Sequence, residues 1–404
     1  GSSNAPTEPG SAGGAHTSPG FPGGAGGGAV RIDATGAVLI DGTITANGAI
    51  GSSSGSGSGG TVFITCNTVA GGGTVQARGA FAGWGTGGGG RIAVIYDPTA
   101  QGLIAVPSIV YQTAPPANSS YSADVGTLFF PDDRFLVTPF RHSGQWLVPG
   151  TTNWTVNNLV VSNAWIRFPA AEFILTVSNE LRIVGTDITL HKLEMTNALF
   201  TVGGDVFLNK AVLTFSGGAI TGRPSIDCGG NMILTNGCAM YVFSATTNAP
   251  QVDDWGTLVD VAQDMRIHAS SVLYLFSHPT NGASALLRIN NLTIAGSGTI
   301  NADSGGYIGK SQAKGWGPGG GSGSHLAAAG YGGKGGGSAG TPGGVYGSSN
   351  APTAPGSAGG AHTSAGYPGG AGGGLVRVEA GEGVSISGTI TADGASTGPA
   401  SSSG

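Results

Sequence analysis

The chain has 404 residues, of which 79 are glycine; only 9% are charged, and the formal net charge is -5. Ordinary globular proteins use roughly a third as much glycine and about 25% charged residues. The balance excludes an electrostatic nucleic-acid binder, since no Lys/Arg cluster can neutralise phosphates, and a 39% hydrophobic content separates the chain from ordinary disordered ones.

In chain order, residues 1–28 are Gly, Ser, Ala and Pro punctuated by Asn4, His16 and Phe21, with neither helical nor strand periodicity. The pattern then turns to period two, with Val30, Ile32, Val38, Ile40, Ile44 and Ala46 on even positions, which predicts short strands with one buried face. A unit of the form Gly-Thr-Ile-Thr-Ala-Asn/Asp recurs at Gly42–Gly48, Gly298–Asp303 and Gly388–Gly394, with a Gly-Thr-Val variant at Gly73–Gly79. A short strand precedes each: Val38–Ile40, Val62–Cys66, Leu292–Ile294 and Val384–Ile386.

Long glycine-rich runs separate these units, at Gly48–Gly60, Gly79–Gly90 and Ser304–Gly374. Arg31, Arg91 and Arg377 follow glycine runs, but no phosphate-loop motif and no following helix accompany them, so they are expected to donate to loop carbonyls. Ordering a run of about 70 residues costs on the order of 1 to 2 kcal/mol per residue in backbone entropy, and the runs hold few apolar side chains to offset it. Backbone hydrogen bonds between extended, polyglycine-II-like strands are the expected source, with Phe21, Trp84, Trp316, Tyr331 and Tyr367 as anchors.

Four regions are expected: glycine-rich coils at 1–97, a proline-rich connection or small β-subdomain at 98–150, regular coils at 151–302, and a glycine-rich segment with coils at 303–404. In the third, short strands are predicted to meet at Asn or Gly corners, for example around Asn163, Gly185, Asn197, Asn209 and Asn236-Gly237. No amphipathic helix of even three turns can be placed. Strand pairs this short cannot bury an apolar face alone, but stacked pairs can, which predicts an all-β, right-handed parallel β-helix with long ordered glycine-rich loops.

The two ends of the sequence match. Gly1–Ser58 recurs as Gly347–Gly404 at a constant offset of 346 residues, without insertion and with roughly two-thirds identity. A window cut from a longer tandem array has this form. No basic n-region or cleavage site opens the chain, so any signal peptide is expected upstream.

Together the Val-x-Ile-x-Gly-Thr-Ile-x-Ala-x-Gly units and Gly/Ser/Ala runs resemble the glycine-rich β-helical repeats of very large secreted or surface-attached bacterial proteins, adhesin-like or matrix-like in character. By motif the resemblance covers the two outer parts of the chain. It implies an extracellular or cell-surface structural role, with no catalytic residue, cofactor or metal site. The expected function is a non-enzymatic repeat of a filament, stalk or matrix fibre, joined head to tail to identical units, with no membrane span in this segment and surface glycans as a further partner.

The alternative is a carbohydrate-binding or polysaccharide-cleaving β-helix, which needs outward carboxylates clustered on one face. Asp187, Asp205 and Asp227, spaced near one coil apart, are the best candidates; Asp132-Asp133-Arg134 and Asp253-Asp254 rank below them. His16, His142, His191, His268, His278, His325 and His362 show no ligand spacing, and His16 and His362 share one repeat position. Cys228 and Cys238 either pair across one turn of the chain or, with Cys66, act as small core residues. Thr43/Thr45 and Thr389/Thr391 are outward Thr-x-Thr pairs, and Asn118, Asn153 and Asn291 sit in glycosylation sequons.

Overall fold

The computed structural model describes residues 1–82, 84–116, 123–170, 173–185, 191–196, 199–216, 224–245, 256–310, 314–322, 327–337, 340–361 and 368–395. Among them the chain is almost wholly β, and the strands pair in parallel apart from one short antiparallel pair at Phe81–Ala82 and Gly85–Thr86.

Twelve strands form one continuous parallel column, here the long column, from Ala29–Asp33 through Thr61–Thr65, Arg91–Ile95 and so on to Thr299–Asn301 and Thr389–Thr391. After residue 150 a second column stacks Asn153–Val156, Ile174–Val177, Leu199–Val202 and Ser225–Cys228. A third stacks Leu159–Ser162, Leu181–Val184, Val206–Asn209 and Met232–Thr235. The long strands Thr257–Ile267, Ala285–Ile294 and Arg377–Ile386 serve both columns, their first halves continuing the second and their last halves the third. The chain therefore visits second, third and long column in rotation. It does so because alternate residues such as Leu181, Ile183, Leu193 and Met195 are apolar, and each strand is too short to bury that face without neighbours above and below.

Before residue 150 the same rotation is built from smaller pieces. Ala37–Leu39 pairs with Thr68–Ala70, and Thr43–Thr45, Thr74–Gln76 and Val110–Gln112 stack in register. The bridges Gln112 to Ser143 and Phe140 to Val161 join the latter stack to the third column. Where the next partner for Thr68–Ala70 would fall, the chain makes a single helical turn, Pro98–Gln101, capped by Asp97. The side chain of Gln101 takes over the strand's role: its Oε1 accepts from Val69 N at 2.8 Å and its Nε2 donates to Val69 O at 2.9 Å. A primary amide has the donor and acceptor of a peptide group, so a fully buried Gln can stand in for a missing strand.

One apolar cluster runs from Ile40 to Ala302 through all three columns. At residues 111–173 it holds a run of ring contacts, Tyr111 on Phe130 at 5.1 Å, Phe130 on Trp146 at 5.0 Å and Phe168 on Phe173 at 4.3 Å. The proline-rich stretch is thus interior packing as well as connection.

The glycine-rich runs are held by backbone hydrogen bonds that recur every third residue. Gly10 and Gly13 donate to Gly27 and Gly24 at 2.7 and 2.8 Å; Gly24 and Gly27 donate to Gly55 and Ser58 at 2.9 Å each; Ala49 and Ser52 donate to Ala25 and Pro22. The segment 22–27 so has three separate neighbours, and few glycines of the runs take a positive φ. Such closeness leaves no room for a side chain. A Cβ added at Gly26 would lie less than 3.0 Å from Gly10 O, whereas at Gly14 it would meet nothing within 4 Å.

Several expectations need correction. The strands group in threes, not pairs: Asn153–Val156, Ile174–Val177 and Ser225–Cys228 are further strands outside the paired pattern, and Leu193–Met195 closes one round while Leu199–Val202 opens the next. At the Asn209 corner the positive φ of 48° belongs to Lys210. Trp84 is 66% exposed and so is no anchor, whereas in the long run after Ser304 Tyr307, 7% exposed, donates to Asn281 O at 3.0 Å. Arg31 pairs with Asp33 at 2.6 Å instead of a loop carbonyl. Cys66, Cys228 and Cys238 are all free and buried, Cys228 donating to Gly204 O and Cys238 to Thr235 O, so the pairing of Cys228 with Cys238 is not made. Tyr367, Asn197 and the corner strand after Gly185 lie outside the described residues.

Two outcomes follow for stability. Gly26→Ala is expected to cost about 1 to 3 kcal/mol by overpacking against backbone, while Gly14→Ala stays within about 0.5 kcal/mol; thermal denaturation of both variants checks this. Gln101→Leu, which orphans the Val69 N–H and carbonyl, is expected to cost about 1 to 3 kcal/mol by the same measurement.

Candidate functional site

Two places on the molecule carry the sequence candidates: the outer surfaces of the columns and the coils at the two ends. On the second column the register aligns Thr176, Thr201, Asp227, Asp260, Arg288 and Glu379 on successive strands. Arg288 lies between two acids, 3.8 Å from Asp260 Oδ2 and 3.3 Å from Glu379 Oε2. Asp227 accepts from Ser225 Oγ at 3.0 Å. Partial burial pushes its carboxyl above the ordinary value and the neighbouring Asp260 charge adds to the rise, against the opposing Ser225 bond.

Asp205 is elsewhere. It sits at the corner between second and third columns, where its Oδ1 accepts from Asn231 N at 2.7 Å and Asn231 Nδ2 at 3.1 Å. The same corner continues through Asp264, Asn291 and Glu382, with Asn291 Nδ2 donating to both acids at 3.0 Å. This is a ladder of side-chain amides and carboxylates that closes turns from one coil to the next. The predicted column of Asp187, Asp205 and Asp227 is therefore not assembled: Asp205 and Asp227 occupy different positions in the turn, and Asp187 lies outside the described residues. Sequence spacing missed the true partners of Asp227, because coil length varies and only pairing register aligns Asp260 and Arg288 with it.

The outward rings lie on another column. Tyr241 stacks on Tyr274 and Phe243 on Phe276, each at 4.6 Å and within 9° of parallel, all on the long column. The same outward row continues back through Thr214 to Glu194, which pairs with Arg167 at 2.6 Å. A surface cavity of about 360 Å³ near Ser108, Thr138 and Arg141 reaches His142, which is wholly buried. Burial pulls this imidazole down to about 4, and its Nδ1 accepts from Tyr111 N at 3.3 Å. Asp132 accepts from Tyr96 Oη and pairs with Arg134 at 3.5 Å. His191 Nδ1 accepts from Asn163 N at 2.8 Å, and His16 packs edge-on against Phe21. Among the described residues no three His, Cys, Asp or Glu side chains are placed to hold a metal ion, and no helix is long and apolar enough to cross a membrane. Asp253, Asp254, His325, His362 and Asn118 lie outside the described residues. Asn153 is exposed at a strand start.

At the two ends the duplicated stretch folds alike. Gly356 donates to Gly373 O and Gly359 to Gly370 O at 2.8 and 3.0 Å, repeating the Gly10 to Gly27 and Gly13 to Gly24 bonds; Ala395 donates to Ala371 O as Ala49 does to Ala25. The exit residue is reused as well. Asn47 Oδ1 accepts from Arg78 N one coil on, and Asp303 Oδ1 accepts from Asp393 N. Each terminal coil is paired on one side only, Ala29–Asp33 with Thr61–Thr65 and Thr389–Thr391 with Thr299–Asn301. The far end exposes apolar side chains, with Val384 at 50%, Ile386 at 51% and Ile390 at 37%, whereas Ile40, the counterpart of Ile386, is 5% exposed beneath its neighbouring coil.

Compared with known proteins, the chain matches no family model, no curated protein and no solved structure.

A carboxyl raised by burial destabilises the fold once both folded and unfolded states are ionised. Asp227 thus contributes relative stability only at low pH, lost as pH climbs from the ordinary 3.8 through its raised folded value. Asp227→Asn is accordingly expected to stabilise the fold at neutral pH by no more than about 1 kcal/mol, since the group is still partly in solvent, with the gain vanishing below the ordinary carboxylate range in a calorimetric pH series.

Proposed function

We propose that the chain is a repeat of a right-handed parallel β-helix that builds an extracellular filament, stalk or matrix fibre, each repeat stacking on an identical neighbour. The observation that carries this reading is the duplicated stretch, whose two copies make the same strand triplet and the same glycine-to-glycine bonds while lying at opposite ends of one column. A contact between unlike ends of identical units does not close on itself, which is the geometry of an open fibre. Stacking also covers strand edges that would otherwise template aggregation. The glycine-rich runs act in this reading as polyglycine-II-like bundles that thicken the fibre, supported by their period-three bonding. The extracellular location is carried by the resemblance to glycine-rich surface repeats.

Electron micrographs of native material are expected to show filaments with an axial repeat of one unit, and monodisperse single particles would overturn the reading. In the purified chain, Ile386→Asp removes an apolar side chain from the far end. Self-association followed by sedimentation velocity is expected to weaken at least about tenfold, from the lost burial of one large aliphatic group.

A further inference from the structure

The two copies of the duplicated stretch do not occupy the same columns. In the first copy the strand Ala29–Asp33 belongs to the long column and opens its turn; Ala37–Leu39 and Thr43–Thr45 follow on the next two faces. In the second copy the equivalent residues Arg377–Ala380 pair with Leu286–Ile289 on the second column, Gly383–Ile386 continue the third, and Thr389–Thr391 close the turn on the long column. The motif has advanced by one column. Position along the turn confirms the step: glycine-rich residues precede the long-column strands at Thr61 and Arg91, but precede the second-column strand at Arg377.

We infer that the repeat spans a whole number of turns plus one column, so that each unit in a stacked array is rotated by one face, roughly a third of a turn, relative to its predecessor. This rests on the stacked-repeat reading above and specifies its interface. The partner of the far end is the coil Thr61–Gln76 of the next unit. Its strand Thr61–Thr65 lands on the second column, Thr68–Ala70 on the third and Thr74–Gln76 on the long column, as those strands land on the first copy.

The side chains fit this docking. Val69 and Val75, both fully buried, cover the half-buried Val38 and Ile44 and the buried Ile40 of the first copy. Their equivalents in the next unit cover Val384, Ile386 and Ile390, the exposed apolar residues of the second. Asp393 then offers its carboxylate to the Arg78 N–H of the next unit, as Asn47 does within this one. The glycine-rich flank consequently leaves from successive corners in successive units and returns to the same corner after a full cycle of the columns, winding as a ridge around the fibre.

The test is a two-repeat chain, the full chain continued by a second copy of its residues 59–404, carrying one introduced cysteine in each repeat. In the rotated arrangement Thr391 of the first repeat neighbours Gln76 of the second, the register Thr45 holds with Gln76 here. In an unrotated arrangement, with the long column running straight on in its register, Thr391 instead neighbours Thr61. Adjacent parallel strands bring Cα atoms within disulfide range and different faces do not, and the native cysteines are buried. Thr391→Cys with Gln76→Cys is expected to cross-link under mild oxidation, identified by the linked peptide in mass spectrometry, while Thr391→Cys with Thr61→Cys is not. Cross-linking of the Thr61 pair alone overturns the rotation and leaves stacking intact. Failure of both pairs, in variants whose circular dichroism matches the parent, overturns stacking itself. Image reconstruction of the native filament supplies an independent reading, a twist of roughly one third of a turn per repeat against the near-zero twist that would refute the step.

Discussion

Backbone hydrogen bonding at close approach is the interaction on which this protein depends. In the three columns it takes the familiar parallel form, strand on strand, and it is backed by an apolar interior. In the glycine-rich regions the interior is missing and the same peptide groups must suffice. They do so because the segment around Gly24–Gly27 meets three neighbours at once, which only residues without side chains permit. Glycine loses more conformational entropy on ordering than any other residue, so runs of it are ordered only where almost every peptide group finds a partner.

The same reliance on the backbone explains how the polar residues are used. Asn and Asp at the corners cap peptide groups or one another from coil to coil, as Asn231 does between Asp205 and Asp264. Gln101 goes further and replaces a strand. Of the described carboxylates that seemed candidates for chemistry, Asp205 belongs to such a ladder, Asp227 accepts from Ser225 and Asp132 pairs with Arg134. At the far end Val384, Ile386 and Ile390 are exposed, and the outermost strands of the long column are each paired on one side only among the described residues.

The duplicated stretch links local structure to that assembly. Its first copy carries a coil on one side and its second copy carries a coil on the other, with matching internal bonds. Each copy thereby displays the half of the contact that the other lacks. In the proposed stack, the change of column between them would turn a straight array into a twisted one, with glycine-rich flanks distributed around the axis.

Strand content, parallel pairing and the likeness of the two ends were legible in the residues themselves. Period-two apolar patterning, Asn/Gly corners and a constant offset between copies are local signals, and local signals survive in one dimension. Tertiary structure alone decided that strands group in threes, that Gln101 completes a sheet, that Asp227 faces Asp260 and not Asp205, and that the second copy lies one column ahead of the first. The physical reason is the variable length of the turns. When loops between strands differ in length, sequence spacing no longer measures height or face, and only the register of hydrogen-bonded neighbours tells which residues share a surface.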